Sequence, residues 1–270
     1  MREQFIDALG QRFERAAGAR IVSLVPSITE TLIDLGLREQ VVGRTGFCVH
    51  PREAVRDIAK VGGTKDVRLD AVRRLSPTHV IVNIDENEAP AVDALREFVP
   101  HVVVTHPNTP ADNLPLYRLL GGIFGRAAAA EGLCARLQGR LEALAAAEWP
   151  PETVLYLVWQ DPWMTVASDT YIAATLAAVG WRVPHGPGGL AGSARYPRLD
   201  DLDTEAARVD RVLLSTEPFR FREQHARELR ERLAGRPVQL IDGEWASWYG
   251  SRAIDGLRQL AQFRLDLLER

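Results

Sequence analysis

The chain has 270 residues, 46% of them hydrophobic and 26% charged, with a net charge of -3. That balance suits a globular protein large enough for one big α/β domain or two lobes. A slightly negative chain offers no basic stripe to neutralise phosphates, which argues against nucleic acid as the main partner. The two cysteines, Cys48 and Cys134, make neither a disulfide framework nor a metal-ligand pair by spacing. No run approaches 18 apolar residues, so no membrane span is expected.

Residues 1–20 read as a short amphipathic helix with Phe5, Ile6, Leu9 and Phe13 on one face. No apolar run there precedes a cleavage site, so no secretory signal is read. A cytoplasmic location is expected on that reading, with the periplasm or cell surface as the alternative if an export signal has been removed. A short β-rich run at 20–25 ends at Pro26, and Ser27 with Glu30 has the capping-box pattern of a helix running to Leu35 and stopped by Gly36. Strands follow at 41–43, 79–83 and 101–104, with helices near 69–75 and 90–98 between them.

The stretch 122–149 is Ala-rich and closed by Pro150-Pro151. Ala130, Leu133, Cys134, Leu137, Leu141 and Leu144 give it one apolar face at helical spacing. Its length predicts a rod of about 40 Å. After it the order of apolar strand, turn and helix begins again. Strands are expected at 153–159, 211–215 and 238–241, helices through Leu176 and over 222–233 and 251–268, and a Gly/Pro-rich loop over 180–195. Apolar strands alternating with helices imply parallel sheets covered on both faces. The expected fold is α/β: two Rossmann-like lobes with mostly parallel sheets, bridged by one long α-helix. The expected division is an N-terminal helix (1–19), a first lobe (20–121), the connecting helix (122–149) and a second lobe (150–270). A continuous helix resists bending, so a largely preformed cleft is expected.

In such sheets ligands sit outside the carboxyl ends of the strands. That rule selects the loop after Gly43, the turn 85–88 and residues 105–107 in the first half, and 160–164, 216–221 and 242–252 in the second. All six tryptophans lie at or after residue 149. Of these, Trp159, Trp163, Trp245 and Trp248 fall at strand ends, where flat rings suit a flat, partly apolar ligand. Cys48 and His50 share one loop and are candidate metal ligands or a nucleophile pair, although two side chains fall short of a closed zinc site. Packing of the loop is the other reading of that pair. The run Gly62-Gly63-Thr64-Lys65 is like an anion-cradling turn but lacks the full phosphate-loop spacing. Asp85, Glu86 and Glu88 offer ligands for a hard cation, or acids at a helix start. Glu217 with Arg220 or Arg222 reads as a surface ion pair.

Residues 20–36, the Phe47-Cys48-Val49-His50-Pro51 loop, Val61-Gly62-Gly63-Thr64-Lys65, 76–81 and 242–257 together resemble class III substrate-binding proteins. These are the vitamin B12, iron-siderophore and haem receptors of ABC importers, also called helical-backbone metal receptors. Glu86-Asn87, Trp163-Met164-Thr165-Val166, Arg195-Tyr196-Pro197, Ser215-Thr216-Glu217-Pro218-Phe219 and Ser247-Trp248-Tyr249-Gly250-Ser251-Arg252 are similar to its cobalamin-binding-like subgroup. The resemblance covers about residues 20–270. It implies a non-catalytic protein that holds a metal chelate (a corrinoid, haem or siderophore complex) in a cleft between the lobes, with no obligatory cofactor. The ligand-binding residues it implies are Phe47, His50, Lys65, Glu86, Asn87, Trp159, Trp163, Tyr196, Glu217, Phe219, Trp245, Trp248, Tyr249 and Arg252. By position, His50 stands where the B12 receptor has a Tyr. The implied partners are the small-molecule chelate and an ABC permease, the protein itself being a monomer. Asp70 matches the first permease-docking acid, whereas Leu202 falls at the second, with Asp201 and Asp203 beside it. The alternative is a cytosolic metal-binding protein or enzyme using Cys48, His50 and the cleft carboxylates.

Overall fold

Apolar strands buried on both faces set the architecture. The computed structural model describes residues 4–186, 194–233 and 235–269. The chain divides into two compact units. Unit 1 comprises Met1–Pro107, Asp112–Gln138 and Tyr249–Arg252, and unit 2 comprises Asn108–Ala111, Gly139–Trp248 and Ala253–Arg270. The chain therefore returns to unit 1 for four residues after leaving it.

Unit 1 opens with β1 (Phe5–Ile6) and β2 (Arg12–Phe13), an antiparallel pair in which Phe5 faces Phe13. This replaces the expected N-terminal helix. The cause is Asp7: one carboxylate oxygen accepts from the Leu9 and Gln11 amides to close a turn at Gly10 (φ +79°), and the other accepts from Val104. Those anchors override a helical pattern that has no such partners locally.

The unit continues through β3 (Ile21–Ser23), α1 (Pro26–Asp34), β4 (Val41–Arg44), α2 (Arg52–Val55), β5 (Ala59–Lys60), α3 (Leu69–Arg74), β6 (His79–Asn83), α4 (Ala89–Arg96), β7 (His101–Thr105) and α5 (Asn113–Ile123). Its sheet is fully parallel, in the order β5-β4-β3-β6-β7. Every residue of β3 and β6 is buried. Helix α1 begins one residue before the expected cap, with Pro26 at its first position and no side-chain cap. Proline suits that position because the missing N–H has no partner there. The Glu30 side chain is directed elsewhere, as described below.

The long helix is shorter than its alanines suggest. Gly125, with φ +68°, ends α5, and the Arg126 amide reaches back to the Gly121 carbonyl. This is a left-handed cap that only glycine takes without strain. Helix α6 then runs from Ala127 to Ala146, beginning in unit 1 and ending in unit 2. Ala130, Leu133, Cys134, Leu137 and Leu144 are buried along it, and Leu141 is half-buried. Gly132 and Gly139 meet open space. Among the described residues, no helix is long and apolar enough to cross a membrane.

Unit 2 holds β8 (Glu152–Leu157), α7 (Tyr171–Ala177), β9 (Trp181–Arg182), α8 (Leu202–Ala207), β10 (Arg211–Ser215), α9 (Glu223–Arg232), β11 (Val238–Ile241), α10 (Glu244–Ser247) and α11 (Ala253–Leu268). Its sheet is again parallel, ordered β11-β10-β8-β9. Leu155, Leu157, Val212 and Leu214 face α8 and α9 residues in one core cluster. Of the loop expected over 180–195, residues 187–193 lie outside the described residues. The expected fold class stands: two lobes, each on a parallel sheet, joined by a long helix.

Candidate functional site

In unit 1 the strand-end loops are held by buried polar groups. The Cys48 thiol is fully buried, 3.0 Å from Thr29 Oγ1 and 3.1 Å from Thr45 Oγ1. Burial pushes it up from its ordinary value, so it is a protonated anchor rather than a thiolate. The anchored loop turns its neighbour outward, and Phe47 is 62% exposed. The Phe47 ring covers Gly63, its Cε2 lying 3.3 Å from where a Cβ would stand. His50, two residues along, is half-buried. The Cys48 and His50 side chains therefore differ in environment. Among the described residues no three of His, Cys, Asp and Glu gather as a metal-binding group.

The glycine run is a closed turn and not an anion cradle. The Gly63 amide donates to the Asp66 carbonyl at 2.8 Å, and Gly62 (φ +112°) packs on the backbone of Val67 and Arg68. Lys65 is exposed at the tip. Asn87, expected to touch ligand, is buried instead. Its amide donates to the Thr64 carbonyl at 2.8 Å while its oxygen accepts from the Asn83 amide at 2.9 Å. Asn87 thus pins the glycine turn to the end of β6. Glu86 accepts a 2.6 Å hydrogen bond from the Tyr249 hydroxyl, and Asp85 lies 3.4 Å from His106 Nε2. Burial, with Glu86 beside it, holds the Tyr249 phenol well above its ordinary value. Arg252 donates to both oxygens of Glu30, at 2.7 and 2.8 Å. Asp70 stands exposed in the first turn of α3.

Unit 2 gathers aromatics at its strand ends. After β8 the chain folds on itself, Val158 and Met164 exchanging backbone bonds with Met164 and Trp159. The segment 195–199 runs alongside, with Thr165 donating to the Pro197 carbonyl and Leu199 to the Trp163 carbonyl. This pairing presents Trp159 (40% exposed) and Tyr196 (37% exposed). Phe219 meets Trp159 edge-on, with ring centroids 5.6 Å apart. Trp163 stacks parallel on the buried Phe221 at 5.9 Å, so it supports this surface from the core. Trp245 turns to Phe263 of α11, 5.9 Å away, and is a packing residue of that helix pair.

Glu217 follows β10 within this aromatic set. The Ser247 hydroxyl donates to its carboxylate, and Trp248 adds a second side-chain hydrogen bond. Gly243 makes this fit possible, since a side chain there would meet Ser215 and Glu217. Burial raises Glu217 above the usual carboxylate range, opposed by Ser247 and reinforced by Glu244 and Asp242. The ion pair expected with Arg220 or Arg222 does not form; both arginines are exposed. Ser247 and Asp242 carry this geometry. Their 242–252 segment follows from the strand-end rule, but a bond from Ser247 to a residue 30 positions away has no local signal. Asp201 accepts from the Asp203 and Thr204 amides as the N-cap of α8, and Arg232 pairs with Asp203.

Residues 21–212 match the family model described as periplasmic binding protein. The chain belongs to the periplasmic binding protein family. No curated protein matches it by sequence search. Among solved structures, the periplasmic vitamin B12 binding protein BtuF of Vibrio cholerae has a TM-score of 0.77 at 17% identity, covering 94% of this chain and 99% of its own. The periplasmic heme-binding protein RhuT from Roseiflexus sp. RS-1 has a TM-score of 0.76 at 23% identity, covering 93% of this chain and 99% of its own. A periplasmic heme binding protein from Pseudomonas aeruginosa has a TM-score of 0.76 at 20% identity, covering 91% and 92%. These likenesses show a shared fold. In this periplasmic binding protein unit 2 carries a set of aromatic side chains at its strand ends, and unit 1 carries the exposed Phe47 and Lys65.

Proposed function

We propose that the protein binds a metal-chelate small molecule, a corrinoid, haem or siderophore complex, without transforming it. The observation that carries this is the aromatic edge of unit 2. Trp159 and Tyr196 lie on the paired segments after β8, Phe219 follows β10 and meets Trp159, and Trp248 hydrogen-bonds the half-buried carboxyl of Glu217. Such rings give a planar chelate contact area at small entropic cost. Unit 1, taken by itself, offers Phe47, His50, Lys65 and Glu86 as candidate contacts. Asn87, Trp163, Trp245, Tyr249 and Arg252 act behind the surface, as positioning residues. Membership of a solute-binding family supports a non-catalytic role. The burial of the Cys48 thiol does not favour the metalloenzyme alternative.

The family and its named neighbours support a periplasmic location over the cytoplasmic one expected from the N-terminal residues. The family also fits delivery to an ABC permease; a monomer that docks through Asp70 and Asp201 is part of the same proposal. A ligand that binds only the native state stabilises it by mass action, about 2.7 kcal/mol at a hundredfold excess over Kd. For a chain of this size that is a melting shift of roughly 5–10 °C. Cobalamin, haemin and ferric siderophores are to be screened by thermal unfolding. At least one is expected to give that shift, and Trp248→Ala is expected to abolish it while leaving the ligand-free melting temperature within about 3 °C. A flat response to the whole panel would overturn the reading.

A further inference from the structure

The N-terminal hairpin builds a second surface within unit 1. Strand β1 and the segment after β2 lie against α5 and the start of α6, leaving a trough of about 500 Å³ between them. That size falls in the range of small-molecule sites, about 300–1,000 Å³. The floor carries almost no side chains. Gly121 and Gly122 of α5 pack against Ala130 and the Phe5 ring, which a Cβ at either position would strike. The walls are apolar: Phe5 and Ile6 on the hairpin, Pro115 and Leu119 on α5. Ile6 is exposed, so this wall meets water instead of another part of unit 1. Covering such a wall with an apolar tail is favourable.

The hairpin wall is tied in place. The Ala8 amide donates to the Val104 carbonyl at 3.0 Å, and the Ala16 amide to the Ile123 carbonyl at 2.7 Å. With the Asp7 bonds, these anchors make the trough a preformed feature that costs little ordering on binding.

The charges at the trough are unequal. Arg118 donates to both oxygens of Glu131, at 2.7 and 3.0 Å, so that pair neutralises itself. Arg15 differs. Its guanidinium lies across Gly125, with Nε, Nη2 and Cζ 2.8, 2.9 and 3.2 Å from where a Cβ would stand. Among the described residues no carboxylate pairs with it. A planar guanidinium presents parallel N–H groups that match the two oxygens of a carboxylate. One uncompensated cation beside apolar walls fits one monoanion with an apolar tail. A dianionic phosphate would leave a charge facing Glu131.

We propose that this trough binds a medium-chain monocarboxylate, with its tail along Phe5, Ile6, Pro115 and Leu119 and its head group on Arg15. The inference goes beyond the chelate reading and does not rest on it. None of these residues lies in the strand-end loops of either unit.

Octanoate and 1-octanol test the assignment, because they share a tail and differ in charge. Binding of each is measured by titration calorimetry to the full chain and to three variants. Loss of one charge-assisted contact corresponds to about a tenfold change in Kd. The wild type is expected to bind octanoate saturably and to prefer it over 1-octanol by about tenfold. Arg15→Gln should erase that preference while changing 1-octanol binding by less than about threefold. Ala127→Trp, which fills the trough from the start of α6, should weaken both probes by about tenfold or more. Ile6→Glu places a like charge beside the head group and should weaken octanoate more than 1-octanol. Arg15, Ala127 and Ile6 are all exposed, so each variant is expected to melt within about 3 °C of the wild type. Non-saturable uptake of octanoate, equal affinity for the two probes, or a preference that survives Arg15→Gln would overturn the proposal. So would octanoate binding that neither Ala127→Trp nor Ile6→Glu weakens.

Discussion

Arg252 grips Glu30 with two parallel hydrogen bonds of 2.7 and 2.8 Å, joining residues 222 positions apart in the sequence. Both side chains are largely buried, and the pair clamps the Tyr249–Arg252 segment to α1 within unit 1. The same segment is held by the Tyr117 hydroxyl donating to the Gly250 carbonyl and by the Gly250 amide donating to Asn113. A bidentate, partly desolvated pair costs more to break than a surface pair, because removing one partner strands the other. Glu30→Ala and Arg252→Ala are each expected to lower stability by about 2–3 kcal/mol, and the double variant by at least about 1 kcal/mol less than their sum. Urea unfolding of the four proteins measures this. Strictly additive losses would show the two residues to be uncoupled.

That pair also shows where the sequence stops being legible. Strand after strand was readable because the apolar runs at 79–83 and 211–215 are buried almost throughout on both sheet faces, a local property. The strand-end rule then singled out the loops that follow those strands. What it could not supply was the direction of each side chain within them. Glu30 looked like a capping partner for Ser27 and instead reaches Arg252; Asn87 looked like a ligand contact and instead binds Thr64 and Asn83. The N-terminal hairpin was illegible for the same reason, since Asp7 earns its role only once Val104 is beside it. Gly125 was the opposite case: its left-handed cap is a local signal, masked by the helix-forming alanines on its far side.

The Cys48 environment leads to a chemical prediction. The thiol is enclosed by Thr29 and Thr45, and burial raises it away from the thiolate form that reacts. Cys134 is buried as well. In a Cys134→Ala variant, Cys48 is expected to resist a disulfide-exchange reagent at pH 8 in the native protein and to label stoichiometrically in denaturant. Rapid labelling of the native variant would show that the 45–51 loop opens readily and would return the thiol to consideration as a functional group.

His79 makes stability depend on pH. Its ring is buried at the start of β6, stacked on His101 at 4.7 Å and edge-on to Phe124 at 5.2 Å, with Nδ1 2.8 Å from Thr78 Oγ1. Burial, and secondarily the neighbouring His101, lowers it from 6.5 to about 4. The unfolded chain therefore takes up a proton near pH 6.5 that the native chain refuses until about pH 4. Stability is full above pH 6.5, falls as the pH drops through that window, and loses nothing further from this group below pH 4. Between pH 7 and pH 5 the loss from this one residue is about 2 kcal/mol. Glu, Asp and other groups add their own slopes, so the comparison is with His79→Gln, which keeps a hydrogen-bonding side chain but cannot titrate. Urea unfolding at pH 7 and pH 5 should show the wild type losing about 2 kcal/mol more than the variant over that interval. Equal losses would mean that His79 accepts its proton in the folded state as easily as in the unfolded chain.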